Sequence, residues 1–485
     1  MSSRRTLAAA VAATLVMGAF GCSDDEQPRG QPTTTTAPRF GAGVDGPAGP
    51  RPPAPELVVR AVSTRPEHVT AGDVLVEVEV PSELDPADLR VRAGSVDVTD
   101  AFTTVDDTAL GLVTGLPQGA TTVTAELDEL TDELEVVNHP TTGPLFSGPQ
   151  RPLVGCSTEA MGLGPATDAS CSAPTVVDYR YITTAGAVVA LPDPAARPAD
   201  LATAVIEGAR VPLIVRRERG VLNRGVYTAT VVDPTPGQAG LAWNDRLVLR
   251  FGGGCGTGQT QGEDGAGAEV VGLLSRGYAV ASSTFTTFQT HCNDVLGAET
   301  ALMLKERVVE TLGRVAVTIG EGSSGGAIQQ HLILQNYPGI LDAAAAGSPF
   351  PDAASISPGV TDCGLLERYY ATPTGAALNP IQQAIVDGHG TDATCPTWVA
   401  GFLDALRPSE GCPAVPDALR YDSSLRRGGV RCTMVDNNVA TLGVDPVSGF
   451  ANRALDNVGV QYGLNALNAG VITTDQFLDL NQSTS

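Results

Sequence analysis

The stretch Arg314-Val-Ala-Val-Thr-Ile-Gly-Glu-Gly-Ser-Ser-Gly-Gly-Ala-Ile-Gln-Gln-His331 decides the fold. Val315 to Ile319 is apolar and β-branched, the pattern of a buried strand. Gly320, Gly322, Gly325 and Gly326 then surround Ser323 and Ser324, and Ala327 to Leu334 has helical spacing. A strand, a tight glycine-rich turn and a helix form the setting in which Gly-x-Ser-x-Gly becomes a nucleophile elbow. Gly322-Ser323-Ser324-Gly325-Gly326 fits with Ser324 at its centre. The nucleophile of such an elbow sits in strained backbone, so its neighbours must lack side chains that would clash with strand or helix. The competing reading, a phosphate loop, needs the lysine of Gly-x4-Gly-Lys-Ser/Thr. The one lysine of the chain is Lys305, so that reading fails.

Outward from the elbow, strand and helix signals alternate. Arg246 to Phe251 and Gly277 to Ser283 read as strands, and Ala298 to Thr311 reads as a helix with an apolar stripe. Leu341 to Pro349 reads as the next strand. Alternation of this kind predicts an α/β fold of the α/β-hydrolase type, with a mainly parallel sheet and helices on both faces. Arg210–Arg217 and Gly225–Val232 read as the hairpin that opens this sheet. The strand ending at Phe251 runs into Gly252-Gly-Gly-Cys255-Gly256-Thr-Gly258. In a hydrolase fold, that strand-end loop supplies an amide to the oxyanion hole. Gly253 and Gly254 are the candidates there, with the N–H of Gly325 as the second donor.

Six segments follow from composition. Residues 1–21 read as a signal peptide, with Arg4-Arg5 ahead of an apolar run. Residues 22–56 read as a lipid anchor on Cys22 followed by a disordered, Pro- and Thr-rich tether. Short alternating strands over 57–140 predict a small β-sandwich. Residues 141–205 read as a connector, 206–355 as the hydrolase core, and 356–485 as a helical, cysteine-rich cap. The chain is expected outside the cell, held to the membrane's outer face by its lipid. Cys22 aside, eight cysteines remain, which in an exported chain suggests four disulfides, with Cys156 and Cys171 the most local pair.

The formal charge of −24 over 485 residues, with a pI near 4.5, argues against nucleic acid as a partner. Five histidines with none at metal-ligand spacing disfavour a catalytic zinc site. No cofactor is implied.

The segments Phe251-Gly-Gly-Gly-Cys-Gly256, Cys292-Asn-Asp294, Ala298-Glu-Thr300, Ser324 to His331, Gln335-Asn-Tyr-Pro-Gly339, Gly429-Val-Arg-Cys432 and Asn457 to Gly463 together resemble a family of large exported bacterial α/β-hydrolases. That family is of unknown function and is distantly similar to tannase and feruloyl-esterase-like enzymes. The resemblance runs from the β-rich segment to Leu480. It implies the fold and a serine nucleophile, here Ser324, without defining a substrate. Chains of the family continue past the segment matching Gln476 to Leu480.

A serine needs a base within hydrogen-bond reach. In this fold the triad order is Ser, then Asp or Glu, then His. After Ser324 only His331 and His389 remain. His331 lies two turns along the elbow helix and reads as a surface residue, as do His68 and His139 in or beside the β-rich segment. His389, in Asp387-Gly-His-Gly390, has the right order. His291 precedes the elbow but follows a strand on the sheet edge where active sites sit. For the acid, Asp352, Asp362 and Asp387 are open, with Asp352 favoured by its place after a strand. These residues point to a serine hydrolase acting on small-molecule or polymeric esters. The alternatives are an inert binding protein that keeps the elbow without its base, and an amidase or peptidase.

Overall fold

The computed structural model describes residues 56–238, 240–263, 265–453 and 456–484. The expected signal peptide, the Cys22 anchor and the tether up to residue 55 lie outside the described residues. Pro55–Ser485 forms one compact unit. None of the described helices is long and apolar enough to cross a membrane.

Residues 58–139 form two sheets. One orders the strands Val58–Ala61, Val74–Glu79, Thr108–Val113 and Phe102–Val105. The other orders Val69–Thr70, Leu130–His139, Gly119–Leu127, Arg90–Ala93 and Val96–Asp97. Alternation along the strands, as in Thr108–Val113, where Ala109, Gly111 and Val113 turn inward and Thr108, Leu110 and Leu112 are only partly covered, buries one face of each sheet in a single apolar core that includes Val74, Val76, Val91, Val123 and Val136. These sheets are tied to the rest of the chain through polar contacts, one buried and one at the surface edge. Glu306 accepts from the Thr70 amide at 2.8 Å, and Arg314 pairs with Glu77 at 2.6 Å.

The main sheet has eight strands, numbered here β1 Val176–Ile182, β2 Val188–Ala190, β3 Ile214–Leu222, β4 Gly225–Val232, β5 Arg246–Gly252, β6 Ala279–Thr287, β7 Val317–Ser323 and β8 Ala343–Gly347. Their order is β2-β1-β3-β4-β6-β5-β7-β8. The pairs from β2 to β6 are antiparallel, and only β6-β5, β5-β7 and β7-β8 are parallel. The expected mainly parallel sheet is therefore corrected to a mixed one. The reason lies in two tight or short connections: Asn223-Arg224 folds β3 back on β4, and Thr183–Ala187 folds β1 back on β2. Short turns permit only antiparallel pairing. The expected connector also contributes β1 and β2 to this sheet, which therefore begins well before residue 206.

Parallel pairing starts where helices supply the crossovers. Helix α1, Asp294–Leu312, leads from β6 to β7 and buries Ala298, Ala301, Met303, Leu304 and Val308 against the sheet. Helix α2, Gly325–Asn336, leads from β7 to β8. The chain passes from β5 to β6 on one side of β5 and then to β7 on the other. That reversal opens a crevice at the carboxyl ends of β5 and β7, where open α/β sheets bind ligands. Among the described residues the sheet ends at β8. The segment expected to form a cap is helical, with α3 Ala353–Tyr370, α4 Pro380–Asp387 and α5 Thr394–Phe402, of which α3 and α5 reach the crevice. The eight cysteines pair as 156–171, 255–292, 363–395 and 412–432.

Candidate active site

Ser324 stands between β7 and α2 with φ 59° and ψ −121°, a conformation that L-residues rarely adopt. Several contacts hold it there. Its amide donates to the Gly347 carbonyl of β8 at 3.0 Å, and its carbonyl accepts from Ala327 at 2.9 Å. Two buried glutamines on α2 fasten the turn. Gln330 donates to the Gly322 and Gly326 carbonyls, and Gln329 donates to those of Gly252 and Thr286. Close packing explains the glycines of the motif. A Cβ on Gly325 would lie 2.2 Å from the Gly254 oxygen, and one on Gly326 would lie 2.3 Å from the Phe251 oxygen.

The strand-end loop of β5 meets the serine directly. A Cβ on Gly253 would lie 3.6 Å from the Ser324 Cβ and 3.8 Å from the Gly325 nitrogen. The Gly325 N–H occupies the first position of α2 and so has no acceptor within its helix. Gly254 has φ +84°, which keeps the loop tight against Gln289. A disulfide from Cys255 to Cys292 ties the loop to the start of α1.

Ser324 opens into a cavity of about 170 Å³ roofed by the cap. Its walls are mainly apolar: Ile328 from α2, Ile356 and Val360 from α3, Trp398 and Phe402 from α5, and Met434. These lining residues were not legible beforehand, because a cap residue that faces a site has the same helical periodicity as one that faces a core.

The two histidines considered as base are placed differently. His291 is buried, and both ring nitrogens are occupied. Nε2 lies 2.8 Å from the Phe285 carbonyl, which can only accept, so Nε2 carries the hydrogen. Nδ1 accepts from the Asn293 amide at 3.0 Å. Burial pushes its pKa down to about 4, against a smaller upward pull from the Phe285 bond. The expected role of His291 as base is corrected to a structural one. The strand before it runs four residues further than expected, and the ring turns inward from the helical turn Phe288–His291.

His389 lies just past α4, with its ring 5.5 Å from that of Trp398 and 4.0 Å from the Cys363 sulfur. Trp398 lines the serine cavity and His389 does not. Nearby Asp387 accepts from the Tyr370 hydroxyl at 2.5 Å, and burial raises its pKa. Cys363, His389 and Cys395 bring possible metal-ligating atoms within 4.8 Å, but both sulfurs are joined in a disulfide and offer no thiolate. Asp352, expected as the triad acid, is found capping a helix. It accepts from the Ser355 amide and hydroxyl, both at 2.6 Å, and starts α3. Asp362 accepts from the Tyr462 hydroxyl at 2.7 Å. His331 is exposed on α2, as expected. Among the described residues no side chain hydrogen-bonds to the Ser324 hydroxyl.

Asp294, on the first turn of α1, was not considered as a titrating group. Burial first, and the Asp352 charge second, push its carboxyl up to about 7.

The profile of a tannase-like family of unknown function (DUF6351) matches residues 59–484. No curated protein matches the sequence. Among solved structures, tannin acyl hydrolase from Aspergillus niger is 14% identical, with a TM-score of 0.25, over 68% of this chain and 67% of that one. Oligopeptidase B from Trypanosoma brucei, with covalently bound antipain, is 10% identical, with a TM-score of 0.21, over 62% of this chain and 43% of that one.

Proposed function

Starting from a chain that belongs to the tannase-like family of unknown function, we propose that it is an exported serine hydrolase that cleaves carboxylic esters through an acyl-enzyme. The observation that carries this reading is the strained Ser324 facing an apolar cavity, with the Gly253-Gly254 loop packed against it. Ser324 Oγ gives its proton to the base and bonds to the ester carbonyl carbon; the ester C–O bond then breaks, the alcohol leaves with that proton, and water hydrolyses the acyl-enzyme to release the acid. The negative charge that develops on the carbonyl oxygen is met by backbone amides, from Gly325 on one side and from Gly253 or Gly254 on the other. The apolar cavity holds the acyl or alkoxy group and excludes water from it.

His389 is our candidate for the base. Among the described residues its ring makes no hydrogen bond to a backbone group, it lies near the Asp387 carboxyl, and it packs against Trp398, which lines the serine pocket. In this reading Trp398 turns aside when substrate enters. We read residues 58–139 as a β-sandwich spacer, and export with lipidation at Cys22 as the way the enzyme reaches its substrate.

The test is turnover of p-nitrophenyl esters by the full chain, compared with the matching p-nitroanilides. Ester cleavage that disappears in Ser324→Ala supports the reading. Cleavage of anilides at a comparable rate favours an amidase or peptidase. The absence of an imidazole at the Ser324 hydroxyl among the described residues favours the inert binding protein, and ester turnover unaffected by Ser324→Ala would decide for it.

A further inference from the structure

On the far side of the oxyanion loop lies a second cavity, of about 280 Å³, that the proposed reaction does not use. Gly254 and Cys255 face the serine pocket, whereas Gly258, Gln259 and Thr260 of the same loop face this one. Its distinguishing feature is cationic. Arg224 is the second residue of the two-residue turn between β3 and β4, where Asn223 and Arg224 have φ of 49° and 66°. Glycine normally takes that second position. Here an arginine takes it, and the turn carries the guanidinium inside, leaving the residue 6% exposed.

Arg224 is poorly matched by the protein. Nη1 donates to the Arg151 carbonyl at 2.8 Å, Nε has no partner, and the guanidinium lies 5.9 Å above the centre of the Phe285 ring. The neighbouring Arg151 donates to the Arg431 carbonyl at 2.6 Å, to the Asn437 amide oxygen and, through Nε at 3.1 Å, to the side-chain oxygen of Gln259. Neither arginine has a carboxylate within 4.0 Å among the described residues. Two acids act on them from further off: Glu299, held by the amides of Leu145, Phe146 and Ser147 at 2.6–2.8 Å, pulls the Arg224 pKa upward, and Asp436, which also lines the cavity and pairs with Arg431 at 3.3 Å, does the same for Arg151. His291, the third basic group on the wall, is held neutral by its backbone bonds. A guanidinium taken out of water with no carboxylate in direct contact is costly, and an anion bound beside it offsets that cost. Burial accordingly pushes the pKa of Arg224 and Arg151 down.

We propose that this cavity is a binding site for a small organic carboxylate, whose charge is met by the Arg224 guanidinium and whose apolar body rests against Phe285, Leu296 and Val439. Paired oxygens on a planar acid match a guanidinium edge-on. The volume and the largely apolar wall favour an organic acid over an inorganic ion.

The experiment is calorimetric titration of the full chain with benzoate, with its neutral analogue benzamide, and with inorganic phosphate. We expect benzoate to bind one to one and benzamide to bind at least tenfold more weakly. Arg224→Met should lower benzoate affinity at least tenfold while fluorophosphonate labelling of Ser324 is unchanged. Ala440→Trp, at an exposed position on the cavity rim, should block binding equally and decides the matter if Arg224→Met does not fold. Equal binding of benzamide, tighter binding of phosphate than of benzoate, or benzoate binding undiminished in the folded variants would overturn the proposal. Benzoate is not an ester, so the outcome is independent of whether Ser324 turns over.

Discussion

Gly253 lies against Ser324 across two adjacent parallel strands, so close that a Cβ at position 253 would be 3.6 Å from the serine Cβ and 3.0 Å from the Ser323 carbonyl oxygen. This contact makes a nucleophile and a loop from distant parts of the sequence into one site. It also makes the glycines of both segments the natural places to test it.

Gly325→Ala should be the most damaging of these changes. The added methyl would meet the Gly254 oxygen at 2.2 Å and push the loop away from the serine. Loss of one well-placed oxyanion donor costs about 10²–10³ in rate. Ester turnover should fall by that factor, with a melting temperature lowered by only a few degrees. Turnover within a factor of three of wild type would show that the Gly325 amide has no such role.

The elbow's backbone strain predicts a gain in stability when function is removed. Ser324 has φ 59° and ψ −121°, and relieving such strain is worth on the order of 1–3 kcal/mol. Ser324→Gly should unfold at higher urea concentration than Ser324→Ala. Equal midpoints for the two variants would mean that the turn stores little strain.

The disulfide from Cys255 to Cys292 closes 37 residues of chain. A loop of that length is worth about 3–4 kcal/mol on the chain-entropy account. It also pins the oxyanion loop to α1. Replacing both cysteines by alanine should lower stability by that order and reduce turnover disproportionately to the unfolded fraction. A variant as stable and active as wild type would remove the disulfide from the account.

Asp294 predicts a pH dependence. Its carboxyl is raised to about 7 in the folded chain, whereas an unfolded aspartate releases its proton near 4. The native state therefore holds a proton that the unfolded chain loses between about pH 4 and pH 7. The sign follows: this group's contribution to stability is full below about pH 4, declines as pH rises to about 7, and is constant above that. Asp294→Asn should flatten the denaturation midpoint against pH across that window. A profile that falls as steeply in the variant would exclude Asp294 as the source.

How much was legible follows from the range of the interactions involved. The elbow and the glycine loop were readable because local rules set both: β-branched residues before a turn, glycines in it, and helical spacing after it. The antiparallel half of the sheet was hidden, because β1 finds its partner β3 across more than thirty residues and nothing local in Val176–Ile182 announces that pairing. The capping contact of Asp352 had a readable signal, since Asp352-Ala-Ala-Ser355 is the spacing of a helix cap. His291 was placed on the correct sheet edge, but whether a ring faces solvent or carbonyl groups is settled by packing around Phe285 and Phe288. The arginine-lined cavity assembles from five separated segments and leaves no sequence pattern at all.

The most direct test of the central claim is labelling of the full chain with a fluorophosphonate probe, followed by mass spectrometry of the modified peptide. The account predicts one adduct on Ser324, absent in Ser324→Ala and reduced at least a hundredfold in His389→Ala. Labelling of equal strength in wild type and Ser324→Ala, or none in correctly folded wild type, would contradict it.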